Sequence, residues 1–240
     1  MPALAPIILR VKDTLTLTGT GAGLSGQGLF RVSTDIVIFK ILDGALGVLL
    51  RRADSGEAGR IVWALPGDCV GVSEPLEDCA ARALGRTGIR DVYLEQLYSF
   101  GQPDRNPDFR EISVAYYALV SGDRDAGGDV DQYGRWWRVD ALPELCLDHE
   151  RIVGAARERL AAKLEYSTIA FQLMPEQFTL SELQQVYEAI CQRPMDKRNF
   201  RRRVLALDHL EATQGMRRNG SHRPARLYRY AVRDAIHYLK

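Results

Sequence analysis

Two hydrophobic periods divide this chain. From Asp35 to Ile41 the run DIVIFKI is apolar and β-branched without alternation, the composition of a strand covered on both faces. Asp43-Gly44 follows, a pair suited to the left-handed turn of a two-residue hairpin, and ALGVLLRR returns as the partner strand. After a loop over 55–60, IVWALPG reads as one more strand. Between Pro75 and Leu84 the period changes: Leu76, Cys79, Ala80, Ala83 and Leu84 recur as on one helix face. Ser73-Glu74-Pro75 reads as the helix start, with Pro in its first turn, and Gly88 as the stop. YLEQLYSF and EISVAYYALV are strands around the polar loop GQPDRNPDFR. GRWWRVDAL is a last strand running into a turn at Pro143, and a helix over 148–164 follows. Mixed strands with helices packed on them predict a layered α/β unit.

After Glu165 the pattern shifts to helices. STIAFQLM reads as a short helix ended by Pro175. FTLSELQQVYEAIC carries Leu180, Leu183, Val186, Tyr187 and Ile190 on one stripe, with Thr179 or Ser181 as cap and Glu182 completing a capping box from Thr179. DKRNFRRRVLAL is a second amphipathic helix, with Phe200, Val204 and Leu207 inward. LEATQ and ARLYRYAV flank a polar loop rich in Arg and Gly, as a β-hairpin would. Helix, turn, helix and basic hairpin is the layout of a winged helix. Before residue 31, the Gly-rich GTGAGLSGQG reads as a flexible lead, with IILRV and TLTLT as short strands.

Charge separates the two halves. The chain of 240 residues has a net charge of +1, yet residues 191–233 hold twelve Lys or Arg against three Asp or Glu. The remainder is therefore acidic, and the basic end suits a polyanion. Cys69, Cys79, Cys146 and Cys191 show no ligand spacing and read as reduced thiols. His149, His209, His222 and His237 are scattered, and nothing in their spacing suggests a metal. No apolar run reaches the roughly 20 residues of a membrane span. No signal-peptide pattern opens the chain, so a cytoplasmic protein is expected.

The stretch LPGDCVGVSEPLEDCAARALGRTGI, Leu65 to Ile89, resembles the Nudix box, G-x5-E-x7-R-E-U-x-E-E-x-G-U with U apolar. Asp68 stands at the first Gly, and Glu74 matches the first Glu. Arg82, Leu84 and Gly88-Ile89 match the Arg, an apolar position and the end. Ala83 replaces the Glu after the Arg, and Arg86 stands alone where a Glu pair belongs, with one residue deleted. Pyrophosphate cleavage by this box needs carboxylates to hold a hard divalent ion. A methyl group and a guanidinium do not supply them. The blocks LEDCAARAL, YLEQLYSFGQPDRNP, SVAYYALV, KLEYSTIAF, FTLSELQQVYEAI, DKRNFRRRVLAL and RPARLYRY, in this order, resemble the Nudix-related transcriptional regulators (NrtR). These join a degenerate Nudix domain to a winged helix.

That resemblance implies an α/β/α Nudix-like sandwich over 31–165 and a winged helix-turn-helix domain over 166–240; the flexible lead over 1–30 lies outside it. It implies a repressor of NAD-metabolism genes, released from DNA by ADP-ribose or a related nucleotide as effector, with no cofactor required and no catalysis. Related branches control sugar catabolism. One recognition helix per chain suggests a homodimer on a near-palindromic double-stranded DNA operator. The candidate DNA contacts are Lys197, Arg198, Asn199, Arg201 and Arg202 on the second helix, Arg217, Arg218 and Arg223 in the wing, and Thr179 and Ser181 at a helix start. Arg203, beside the buried stripe, is expected to meet a phosphate or an intradomain partner. The candidate ligand contacts are Arg51, Arg52 and Arg105 for an anionic diphosphate, Phe100, which opens the polar loop and could stack on an adenine, and Tyr117. Trp63, Trp136 and Trp137 read as core and interface anchors. The competing reading is an active nucleoside-diphosphate hydrolase whose basic tail binds RNA. It would need a carboxylate cluster outside the box, such as Glu95 and Glu111 meeting Glu74.

Overall fold

The computed structural model describes residues 30–54, 60–122, 132–208, 210–218 and 224–232. The strands expected in IILRV and TLTLT, the lead before Phe30, the loop over 55–59, His209, His222, His237, Asn219, Gly220 and Arg223 lie outside the described residues.

The apolar run becomes β1 (Arg31–Leu42). The turn at Asp43 and Gly44, with φ of 47° and 80°, sends the chain into β2 (Ala45–Asp54). Two left-handed residues in succession are what such a hairpin requires, and Asp-Gly adopts them at low cost. The expected strand IVWALPG is two strands, β3 (Ile61–Ala64) and β4 (Gly67–Cys69), which pair with different neighbours. Pro66, with no N–H to donate, lies at the break. Helix α1 (Leu76–Gly85) starts one residue later than expected: Pro75 is its extended N-cap, not a member of its first turn. The strands β5 (Tyr93–Phe100), β6 (Glu111–Leu119) and β7 (Arg135–Arg138) and the helix α2 (His149–Tyr166) complete the unit.

The strand order is β3-β2-β1-β6-β5, with β4 on β1 and β7 on β2. β1 runs parallel to β6 from Arg31 opposite Glu111 to Phe39 opposite Leu119. Alternation along β1 feeds two cores. Ile36 and Ile38 join Cys79, Ala80, Ala83 and Leu84 of α1, whereas Val37 and Phe39 join Ile152, Ala156 and Leu160 of α2. Both faces are covered, which is why the strand shows no polar alternation.

The second core continues without a break into the C-terminal part. A 3-10 turn over Ile169–Leu173 replaces the expected short α-helix and sets Phe171 parallel to Tyr230, their ring centres 4.1 Å apart. β8 (Phe178–Thr179) leads into α3 (Leu180–Cys191), then α4 (Lys197–Leu205), β9 (Leu210–Arg217) and β10 (Ala225–Tyr230), with sheet order β8-β10-β9. Helix α3 packs on β2 and α2. The helix-turn-helix is therefore seated on the first sheet, and α2 touches both.

Candidate functional site

The turn between α3 and α4 is clamped from below. Gln184 Nε2 donates to the Met195 carbonyl at 2.9 Å, and the Met195 N–H donates to Glu188 Oε1 at 2.8 Å. Asp196 caps α4 by accepting from the Asn199 N–H at 2.8 Å. Phe200 and Val204 are buried, Phe200 edge-on to Tyr187 at 5.2 Å. Leu207, expected inward, packs partly buried against the same core. With one side fixed, Lys197, Arg198, Asn199, Arg201 and Arg202 all stand exposed on the other. The spacings 197/201 and 198/202 align these cations along the helix. Arg203 lies 5.4 Å from the Tyr187 ring centre and 6.0 Å from that of Phe200, so its partners are intradomain rings.

Two other candidates turn inward. Thr179 is buried, pairs with β10 and caps α3: its Oγ1 accepts from the Glu182 N–H at 3.1 Å, while its own N–H donates to Glu182 Oε2 at 2.8 Å. That capping box answers the Thr179-or-Ser181 alternative and takes Thr179 away from a phosphate. Arg217, expected as a free wing cation, binds Glu182 and the Gln177 carbonyl. Ser181 is half-buried and Arg218 is exposed.

In the box, the retained residues form an internal brace. Arg82 grips Glu74 with Nε and Nη2, both at 2.8 Å, and also binds Asp68. Glu74 accepts from the Gly71 N–H at 2.9 Å, so the loop before α1 is tied to the helix. The Arg82 guanidinium and then the Gly71 N–H pull the Glu74 carboxyl down to about 2. Arg86 lies 2.6 Å from Asp68 and half-exposed, and Ala83 is buried in the α1 core. Among the described residues no group of three or more His, Cys, Asp or Glu side chains is placed to hold a metal ion. Glu95 bonds Tyr93, Tyr117 and Lys163, Glu111 bonds Asn106, and Glu74 bonds Arg82. These three carboxylates have separate partners, so this example of a cluster outside the box is not assembled among the described residues.

The expected ligand residues divide. Arg105 is not open to a diphosphate. Its side chain is 1% exposed and ion-pairs with Asp148 at 2.7 Å, Asp35 at 3.5 Å and Glu111 at 3.7 Å. Asp35 also accepts from Ser113 Oγ at 2.6 Å, and His149 Nε2 lies 3.6 Å from it. His149 Nδ1 accepts from the Leu65 N–H at 3.0 Å, which puts the imidazole proton on Nε2. Burial holds the His149 pKa below its usual value. Tyr117 is fully buried, its hydroxyl donating to Glu95 at 3.0 Å, and burial pushes its pKa up. Phe100 is buried beneath Arg151, whose guanidinium lies 5.8 Å from the ring centre. These three side chains are thus enclosed, Arg105 by Asp35, Glu111 and Asp148, and Phe100 and Tyr117 between the sheet and α2.

Arg51 is half-buried and Arg52 exposed, 6.0 Å over the Trp63 ring. Trp63 and Trp137 meet edge-on at 5.2 Å, as anchors should. Beside Arg51 the structure adds residues the sequence reading passed over. A Cβ on Gly134 would fall 2.2 Å from the Leu50 carbonyl oxygen and 3.3 Å from the Arg51 Cα, so only glycine lets this chain segment lie on β2. That approach brings Tyr133 into the fields of Arg51, Arg86 and Asp68. Burial raises its hydroxyl pKa and the two guanidinium groups oppose the rise. Arg86 was visible as the cation replacing an acid in the box. Tyr133 carried no local signal. The four cysteines are all free: Cys79 is buried and the other three half-buried.

An α/β sandwich with a braced, acid-poor Nudix box, carrying a helix-turn-helix with an exposed row of cations, defines a Nudix fold joined to a DNA-binding module. A family model described as the NUDIX domain matches residues 30–156, and one described as the NrtR DNA-binding winged helix domain matches residues 170–230. The chain is 35% identical over 209 residues to the ADPR responsive transcriptional repressor NtrR of Acinetobacter baylyi, covering 85% of this chain and 83% of that protein. It belongs to the NrtR-type family of Nudix/winged-helix transcriptional repressors. Among solved structures, Shewanella oneidensis NrtR complexed with a 27mer DNA is similar at a TM-score of 0.72 and 33% identity, covering 83% of this chain and 93% of that one. The ADP-ribose pyrophosphatase of Methanocaldococcus jannaschii is 29% identical over 107 residues, covering 44% of this chain and 62% of that protein. No helix among the described residues is long and apolar enough to cross a membrane.

Proposed function

We propose that this chain is a DNA-binding repressor of NAD-metabolism genes that leaves its operator when ADP-ribose, or a closely related nucleotide, binds the Nudix-like domain. Residues 31–165 sense the effector and residues 166–240 bind DNA. The observation that carries the reading is the exposed row Lys197, Arg198, Asn199, Arg201 and Arg202 on a helix whose opposite side is locked by Phe200 and Val204. A helix in this setting enters a major groove, where Arg reads guanine and Asn reads adenine. Arg218 extends the contact beyond β9. The relatives support the same reading: one is described as ADPR responsive and another was crystallised with DNA.

The effector site is the corner shared by Arg51, Arg86 and Tyr133, while Arg52 lies on the other face of β2 over Trp63. There one guanidinium, Arg86, stands where the box pattern has acids and Arg51 lies beside it, so a diphosphate is held without being cleaved. The protein acts as a homodimer, with two recognition helices on two half-sites about one helical turn apart. Helix α2 is the lever, because its first turn is tied to the sensor through Asp148 and its body packs on α3. An effector shifts DNA occupancy several-fold only if it couples to DNA binding by about 1–3 kcal/mol. Fluorescence anisotropy with an operator fragment tests the function: ADP-ribose at micromolar to millimolar levels releases the DNA and NAD does so less well. DNA binding indifferent to ADP-ribose refutes it.

A further inference from the structure

Arg217 ends β9, immediately before the basic wing, where a cation would be expected to reach for a phosphate. It folds back instead. Nη1 donates to Glu182 Oε1 and Oε2 at 2.9 and 3.0 Å, and Nη2 donates to the Gln177 carbonyl at 3.1 Å. Glu182 is itself already committed to the capping box with Thr179, and Thr179 pairs with Leu227 of β10. One carboxylate thus joins the start of α3, strand β8 and the end of β9. The crossing is close: a Cβ on Gly215 would meet Leu227 at 3.0 Å and Gln177 at 3.4 Å. The pair is only partly exposed, at 37% for Arg217 and 25% for Glu182, so both partners keep much of their attraction.

We infer that Arg217 is a positioning residue: it pins the wing to the first turn of α3, and so sets the wing against the recognition helix, without touching DNA itself. This rests on the DNA-binding reading above. The planar fork matters, since one guanidinium must span a carboxylate and a backbone carbonyl, which an ammonium point charge cannot do equally well.

A phosphate contact and a pin make opposite demands on two variants. Arg217→Lys keeps the charge a phosphate would use but loses the fork. Glu182→Gln keeps the capping box, which accepts Gln at this place, but removes the ion pair. If Arg217 is the pin, each weakens operator binding by about fivefold, the size of one partly exposed ion pair. The double variant is then no worse than either single one, and the slope of log affinity against log salt stays unchanged. ADP-ribose affinity also stays unchanged. In the free protein, backbone amides of β9 and β10 exchange faster in both variants while those of β1 and β6 do not. Wild-type affinity in Arg217→Lys, tighter binding in Glu182→Gln, unaltered β9–β10 exchange, or a salt slope lowered by about 0.9 in Arg217→Ala would each overturn the pin. Wild-type protein run alongside separates the two readings: if it shows no operator binding the DNA-binding reading fails, while the exchange data still judge the pin.

Discussion

Arg105→Met puts the inner framework to the test. The side chain lies inside the protein with three carboxylates around it, from β1 (Asp35), β6 (Glu111) and the start of α2 (Asp148). Burying a lone guanidinium is unfavourable, and here the surrounding acids more than offset it, so its pKa rises despite burial. Methionine has similar length and no charge. It would leave Asp35, Glu111 and Asp148 facing one another without their shared cation, and Asp148 without the two bonds, at 2.7 and 3.1 Å, that fix it. Breaking a buried pair in this way costs about 3–5 kcal/mol. For a chain of this size that lowers the melting temperature by roughly 6–20 °C, at about 2–4 °C per kcal/mol. Thermal melting followed by circular dichroism reads the loss, and calorimetry at a temperature where the variant is folded reads ADP-ribose affinity. The expected result is a large fall in melting temperature with ligand affinity little changed at the folded state. A variant that melts like the wild type but loses ADP-ribose affinity would return Arg105 to the ligand site and refute the placement.

Further expectations concern DNA, catalysis and pH. Arg198→Ala or Arg202→Ala should weaken operator binding by about 1–3 kcal/mol and blunt sequence preference, as gel-shift titrations against matched and altered sites would show; wild-type binding would remove α4 from the groove. ADP-ribose incubated with Mg²⁺ or Mn²⁺ should yield little AMP by chromatography, and Ala83→Glu should not restore cleavage, since Arg86 still occupies the position of the missing Glu pair; rapid AMP release would favour the hydrolase. His149 has a lowered folded-state pKa, so on acidification the unfolded chain takes the proton first, near its ordinary pKa of about 6.5. Stability should therefore fall as pH drops below about 6.5, and His149→Gln should flatten that slope in melts between pH 7 and 5; identical slopes would contradict the neutral buried imidazole.

What could be read in advance follows from the range of the forces involved. The Asp43-Gly44 hairpin, the Thr179–Glu182 capping box and the two sides of α4 each depend on residues a few positions apart, and each was legible. Pro66 is a breaker that the reading of IVWALPG as one strand passed over, and the split of β3 from β4 also needed knowledge of which neighbours each half would find. Arg105 shows the limit more sharply. In the sequence it is a cation in a polar loop, and the acids that internalise it lie at 35, 111 and 148. Arg217 is the same case on a smaller scale, since Glu182 reaches it only after the hairpin folds back on α3. Phe100 read as a stacking ring because it opens the polar loop, and Tyr117 was named beside it as a ligand candidate; that α2 covers both is a fact of tertiary packing. The residues the box retains were legible, because their spacing is a property of one helix and the loop before it.

In this reading the sensor and the DNA surface belong to one linked equilibrium. Linkage makes the effect reciprocal: if ADP-ribose weakens operator binding by some factor, operator must weaken ADP-ribose binding by the same factor. Titration calorimetry of ADP-ribose into the free protein and into the protein saturated with operator DNA measures this directly. Operator is expected to raise the ADP-ribose dissociation constant by about 5- to 150-fold, matching the loss of DNA affinity measured with saturating ADP-ribose. Equal ADP-ribose affinities in the two titrations would contradict it, even if the protein binds both ligands.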